Sequence, residues 1–289
     1  MIYEELLNDP ISLSAYIFLT FSIASLFIKK IHKIWISLFL ISLFLAYLAQ
    51  RINLNAIFVI AFFTLSIYIL QKDSFSKFIR TISGFFVFSI SILLFIHKID
   101  GFDNWKIIDN ITLSASSVPY NLYLNYDKAL VGLLIIALSL STINRKKDWL
   151  KMVRRIFPLT IFAIVSIYGL AYIMNFVLID IKFNNILFIW IFVNLFFTCV
   201  AEEAFFRGFM QKYLQKILSR YKYSNSISLI FVSLLFGLFH IAGGLNYMIL
   251  STLAGFIYGY AYYKTQNIES SILIHFIINL GHIIFFSYP

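Results

Sequence analysis

Charge is scarce in this chain. Only 12% of its 289 residues are charged, 61% are hydrophobic, and the mean hydropathy is +0.88. A soluble domain is about 25% charged and about 45–50% apolar, so a water-soluble globule is excluded and the chain reads as a polytopic membrane protein. Cysteine is nearly absent. The single Cys199 excludes an internal disulfide and a thiolate metal cluster. No basic residue precedes the first apolar run, since the chain opens Met-Ile-Tyr-Glu-Glu, which argues against a cleaved leader. No internal repeat is evident. Glutamate is rarest where it matters most: Glu4, Glu5, Glu202, Glu203 and Glu269 are all there are. Glu202 and Glu203 directly follow the apolar run 186–201. A charged group in hydrocarbon costs roughly 2.5–3.5 kcal/mol on insertion scales and tends to persist where it pairs, faces a wet cavity or does chemistry.

What is present is a series of apolar segments. A membrane span needs about 20 residues, and ten candidates occur: roughly 11–28, 35–50, 54–70, 81–97, 129–143, 156–177, 186–206, 226–241, 246–263 and 270–288. The expected fold is therefore all-α, a polytopic transmembrane helical bundle of about ten spans. The net charge of +10 does not point to nucleic acid, because the basic residues cluster in short loops between apolar runs. In a ten-span arrangement Lys29, Lys30, Lys33, Lys72, Lys77, Arg80, the six basic residues of 145–155, Lys212, Lys216, Arg220, Lys222 and Lys264 all fall on one side. Arg51, Lys98, Lys106, Lys128 and Lys182 fall on the other. The positive-inside rule then places both termini outside. The polar stretch 98–128 reads as an external loop, too short and mixed to fold as a domain. The basic hinge 145–155 divides the chain into an N-terminal helical region, 1–150, and a C-terminal region, 151–289, that carries the motifs.

Those motifs sit on helices. Residues 202–218 are rich in helix formers, so the seventh helix is expected to run through them. Glu203 and Arg207 are four apart and share a face, where they can pair. Glu202 is turned about 100° away and remains available as a base. The alternative is a buried ion-pair network that only ties helices together. His240 closes Phe236-Gly237-Leu238-Phe239-His240, at a depth matched to Glu202 across an antiparallel hairpin. A lone histidine on an apolar face is more often a satisfied core residue; the matched depth with a glutamate leaves that reading and a functional one evenly balanced. In the last helix His275, Asn279 and His282 form one stripe. Asn279 can donate to a developing oxyanion and His275 can donate or shuttle a proton; the alternative is an interhelical hydrogen-bond ladder. His282 lies nearer the outer end. Gly255 and Gly259, four apart, read as a site of close helix packing.

Together these residues resemble the CPBP family of intramembrane endopeptidases, which includes CAAX prenyl proteases and bacteriocin-processing or abortive-infection-type membrane proteins. Its first motif matches Glu202, Glu203 and Arg207, its second Phe236 and His240, and its third His275 and Asn279. The resemblance covers about 186–289, including the stretch Lys264-Thr265-Gln266-Asn267-Ile268, and leaves the first half undescribed. It implies hydrolysis of a peptide bond within or beside the membrane. Glu202 would activate water with His240, Glu203 and Arg207 would position that machinery, and His275 and Asn279 would steady the oxyanion. The family is often labelled metalloprotease, and Glu202, His240 and His275 could hold zinc with an open position. The chain lacks His-Glu-x-x-His, however, and a metal-free glutamate mechanism needs only these residues.

Two other classes compete. One is a non-proteolytic immunity or scaffold protein, which has no chemical need for Glu202. The other is an ion-coupled transporter using buried Glu, Arg and His, against which stands the lack of repeat symmetry. A composition rich in Ile, Lys, Asn and Phe suggests a bacterial cytoplasmic membrane. The expected partners are the lipid bilayer and a membrane-protein or peptide substrate.

Overall fold

The computed structural model describes residues 6–114 and 117–287. The chain ends, on which the expectation of external termini falls, lie outside the described residues. The protein is 72% helical, as the apolar periodicity requires. The helices are α1 (Pro10–Ser25), α2 (Trp35–Leu48), α3 (Leu54–Gln71), α4 (Lys77–Phe95), α5 (Tyr126–Ser139), α6 (Lys146–Ile173), α7 (Leu187–Ile217), α8 (Ser224–Leu238), α9 (Leu245–Thr265) and α10 (Ile268–Phe285). Each of the ten apolar segments coincides with one of them. Among the described residues five helices, α3, α4, α6, α7 and α10, are long and apolar enough to cross a membrane. One departure from the expected loops is a two-stranded sheet, β1 (Trp105–Ile111) with β2 (Tyr120–Leu124), inside the stretch 98–128. In β2, Tyr120, Leu122 and Leu124 are buried and alternate with exposed Asn121 and Tyr123, the period of two that a half-buried strand requires.

Helix ends follow local chemistry. Pro10 opens α1 behind Asp9, whose carboxylate accepts from the Ser12 amide at 3.0 Å. Asn53 caps α3 by accepting from the amides of Asn55 and Ala56. At the other ends Gln50, His97 and Asn175 adopt left-handed backbone with φ of 58°, 55° and 52°. The next amide in each case returns to a carbonyl five residues back: Arg51 to Ala46, Lys98 to Leu93 and Phe176 to Ala171. This closure satisfies helix-terminal carbonyls and usually employs glycine.

The chain divides into two compact units. The first holds residues 1–109, 121–142 and 196–205. Its centre is α5, buried at every position from Ala129 to Ile136, as a helix apolar all round should be. Ser42 donates to the Ala15 carbonyl at 2.7 Å and lies 2.8 Å from the Tyr126 hydroxyl, joining α2 to α1 and α5. Gly132 of α5 faces α7 so closely that a Cβ there would stand 2.9 Å from the Ala201 Cα. Phe205 of α7 packs on Phe88 and Phe95 of α4, and Phe197 on Tyr16 of α1.

The second unit holds residues 110–120, 143–195 and 206–289, with α6, α8, α9 and α10. The segment after α6 is strapped to the end of α10: Ile179 bridges Phe286, and the amides of Asp180 and Lys182 bond the carbonyls of Phe285 and Ile284.

Candidate active site

The helix carrying the paired glutamates is not a uniform α-helix. Within α7, residues Asn194–Cys199 and Ala204–Gln211 form π-helical turns, with a single α-turn, Val200–Glu203, between them. Such i→i+5 turns are rare, occur mostly as single-turn bulges inside α-helices and are frequent at functional sites. They also change the facing of side chains, because residues five apart approach a common face that a pure α-helix would deny them. Glu203 and Arg207 are fully buried and Glu202 is 8% exposed. Glu202 and Glu203 belong to the first unit, on the stretch of α7 held by Gly132, Phe88 and Phe95.

Arg207 lies where α7 re-enters the second unit, which resumes at Phe206. Its Nη2 donates to the Gly255 carbonyl at 3.0 Å, and one turn on Gln211 Nε2 donates to the Gly259 carbonyl at 3.0 Å. The two glycines thus admit a pair of polar side chains as well as a helix. A Cβ on Gly259 would stand 2.8 Å from Gln211 Oε1 and 2.6 Å from a Leu229 methyl. The Arg207 guanidinium lies over the rings of Phe236 at 4.5 Å and Tyr258 at 5.5 Å, where the quadrupole of each ring favours a cation.

Phe236 and Tyr258 also frame the histidines. Tyr258 stacks on His275, with ring centroids 4.8 Å apart and planes 18° apart. Phe236 meets His275 edge-on at 5.9 Å and His240 at 4.6 Å. His240 Nδ1 lies 2.7 Å from the Phe236 carbonyl oxygen. A carbonyl can only accept, so Nδ1 is the donor in this contact. Asn279 Nδ2 donates to Asn194 Oδ1 at 3.3 Å. Asn194 takes one of the two amide hydrogens and thereby fixes the plane of the amide.

His240, His275 and Asn279 line one cavity of about 80 Å³, together with Tyr168, Tyr247, Ser251, Tyr258 and His282. Its lining residues all come from the second unit. His282 accompanies the stripe, its Nε2 lying 3.1 Å from the Ser287 carbonyl. Among the described residues no group of three or more His, Cys, Asp or Glu side chains is arranged to hold a metal ion.

Sequence reasoning passed over Asn194, Gln211 and Tyr258. Asn194 had a signal, as a polar residue inside the run 186–201 that was read as apolar. Gln211 sits four after Arg207, as Gly259 sits four after Gly255. Tyr258 had none, since a tyrosine in an apolar helix is ordinary.

These features define a class, a helical membrane protein with histidine and asparagine gathered in a small internal cavity. Residues 184–281 match the model of the family described as type II CAAX prenyl endopeptidase Rce1-like, so over that span the resemblance read from the three motifs holds. No curated protein and no solved structure matches the chain.

Proposed function

We propose that this protein is an intramembrane endopeptidase that hydrolyses a peptide bond of a membrane-associated protein or peptide, in a bundle of about ten spans. The carrying observation is the cavity that His240, His275 and Asn279 share inside the domain matched to a protease family. In this reading Glu202 takes a proton from water, aided by His240, and the oxygen attacks the scissile carbonyl. Asn279 and His275 donate to the oxyanion, where a fixed donor is worth more than water because it needs no reorganisation. The proton held by Glu202 then passes to the leaving amine. Glu203 pairs with Arg207 and holds the π-turned segment. Zinc on Glu202, His240 and His275 is the variant of this reading that a chelator tests: activity that survives exhaustive chelation excludes it.

The test of the whole reading is N-terminal peptide profiling of membranes from cells carrying the wild type or Glu202→Gln at equal expression. New termini present only with the wild type are expected, with loss of about 10²–10⁴ in rate for the variant, the usual worth of a general base. A wild-type profile identical to that of cells lacking the protein would overturn proteolysis in favour of a binding or immunity role. Cleavage by the variant at the wild-type rate would overturn the assignment of Glu202.

A further inference from the structure

Outside the candidate active site the second unit has another cavity, of about 400 Å³, between α6 and α9. Arg155 and Lys264 line it together with Ile156, Pro158, Leu159, Phe162, Tyr260, Ala261 and Thr265, and no carboxylate is among the lining residues. Three features of the groove are explained by its parts. Pro158 lies inside α6 and has no N–H, so the Arg154 carbonyl loses its helical donor and the ladder opens at this level. Arg155 Nη1 donates to the Lys264 carbonyl at 2.8 Å, which pins one guanidinium nitrogen at the end of α9 and holds the cation at the groove. Lys264 Nζ lies over the Tyr260 ring at 5.3 Å, so its ammonium stays beside the cavity.

The chemistry is that of an amphiphile with a negative head. Two cations stand at one end, where Lys151 and Arg154 on the same helix add to the positive potential. Apolar side chains continue along α6, which is among the helices long and apolar enough to cross a membrane. On that helix Phe157, Ile161, Phe162 and Val165 are exposed by 63%, 48%, 57% and 67%, the flank that lipid would cover in a spanning helix. A water-borne peptide would meet the cations but not this flank. We infer that the groove between α6 and α9 is a binding site for an anionic phospholipid, its phosphate on Arg155 and Lys264 and an acyl chain along Pro158, Leu159 and Phe162. Basic pockets between membrane helices take phospholipid head groups in this way.

The test uses the purified full-length protein in mixed micelles, with phosphatidylglycerol or phosphatidylcholine as probe, and counts retained lipid by native mass spectrometry. Wild type should retain phosphatidylglycerol in preference to phosphatidylcholine. Arg155→Gln with Lys264→Gln should weaken phosphatidylglycerol retention roughly 30-fold, the product of two cations acting near a membrane surface. Lys264→Gln alone, which leaves the Arg155 bond to the backbone intact, should weaken it roughly fivefold and keeps the test valid where the double variant folds poorly. Equal retention of both lipids by the wild type, or full retention by Lys264→Gln, would overturn the site. Displacement by glycerol phosphate as effectively as by the lipid would reassign it to a free phosphate, and displacement by a short peptide bearing a free C-terminal carboxylate would reassign it to a peptide.

Discussion

At the residue scale the cavity makes Asn279 and Asn194 separable. Asn279 lines the cavity, whereas Asn194 is not among its lining residues and bonds the Asn279 amide. Asn279→Ala should lower kcat by about 10²–10³, the loss seen when one oxyanion donor is removed, with KM little changed. Asn194→Ala leaves the donor but frees its plane, so a smaller fall in kcat is expected, again without a change in KM. Steady-state kinetics on an identified substrate decides between them: equal losses would make Asn194 a direct participant, and no loss at Asn279 would remove it from the oxyanion role. Arg207 is the second residue whose contacts can be weighed. Lysine at this position keeps the charge but loses the planar fork that lies over Phe236 and bonds Gly255. Arg207→Ala also removes the cation proposed to pair with Glu203, and breaking a buried pair costs about 3–5 kcal/mol. Thermal denaturation in detergent should therefore rank wild type above Arg207→Lys and both above Arg207→Ala. An Arg207→Ala protein as stable and active as the wild type would refute the pairing.

At the scale of the element, the stretch of α7 bearing Glu202 and Glu203 is held from outside its own motif. Gly132 lets α5 approach the Ala201 backbone, and the atoms a Cβ would meet there, at 2.9 Å and 3.0 Å, belong to main chain that cannot rotate away. Gly132→Ala should destabilise by about 1–3 kcal/mol, the usual cost of overpacking, and should lower activity by displacing the neighbours of Ala201. A melting temperature and a cleavage rate both equal to wild type would mean that α5 yields freely. The contact also gives the first half of the chain a physical task that its composition did not reveal. Hydropathy and length were enough to locate each helix, because burial of an apolar segment is a local property. The i, i+4 spacing of His275 and Asn279 was legible for the same reason, and both line the cavity. The π-turns of α7 were not legible, since an i→i+5 bond reflects what packs on the helix rather than which residues compose it. The left-handed closures at Gln50, His97 and Asn175 were also hidden, because the sequence offers no glycine there to announce them. Asn194 could be noticed as polar, but its partner lies 85 positions away, a pairing that only tertiary structure makes.

At the scale of the whole molecule, orientation and span number are linked, and α5 is one of the short helices on which both depend. Under the positive-inside rule residues 145–155 are expected inside and the stretch 98–128 outside, which requires α5 to cross. Yet α5 has 14 residues, about 21 Å at 1.5 Å per residue, against a hydrocarbon core of about 30 Å. A helix this short can cross only where the protein surrounds it, and the burial of Ala129–Ile136 supplies that surrounding. Single cysteines replacing exposed Asp109 and Lys147, on either side of α5, test the point with a membrane-impermeant maleimide. The native Cys199 is buried and should stay silent. Labelling of position 109 in intact cells, with position 147 reacting only after the membrane is opened, is the expected result. The reverse pattern would invert the topology. Labelling of both from the same side would mean that α5 turns back within the protein, and the ten-span count would fall with it.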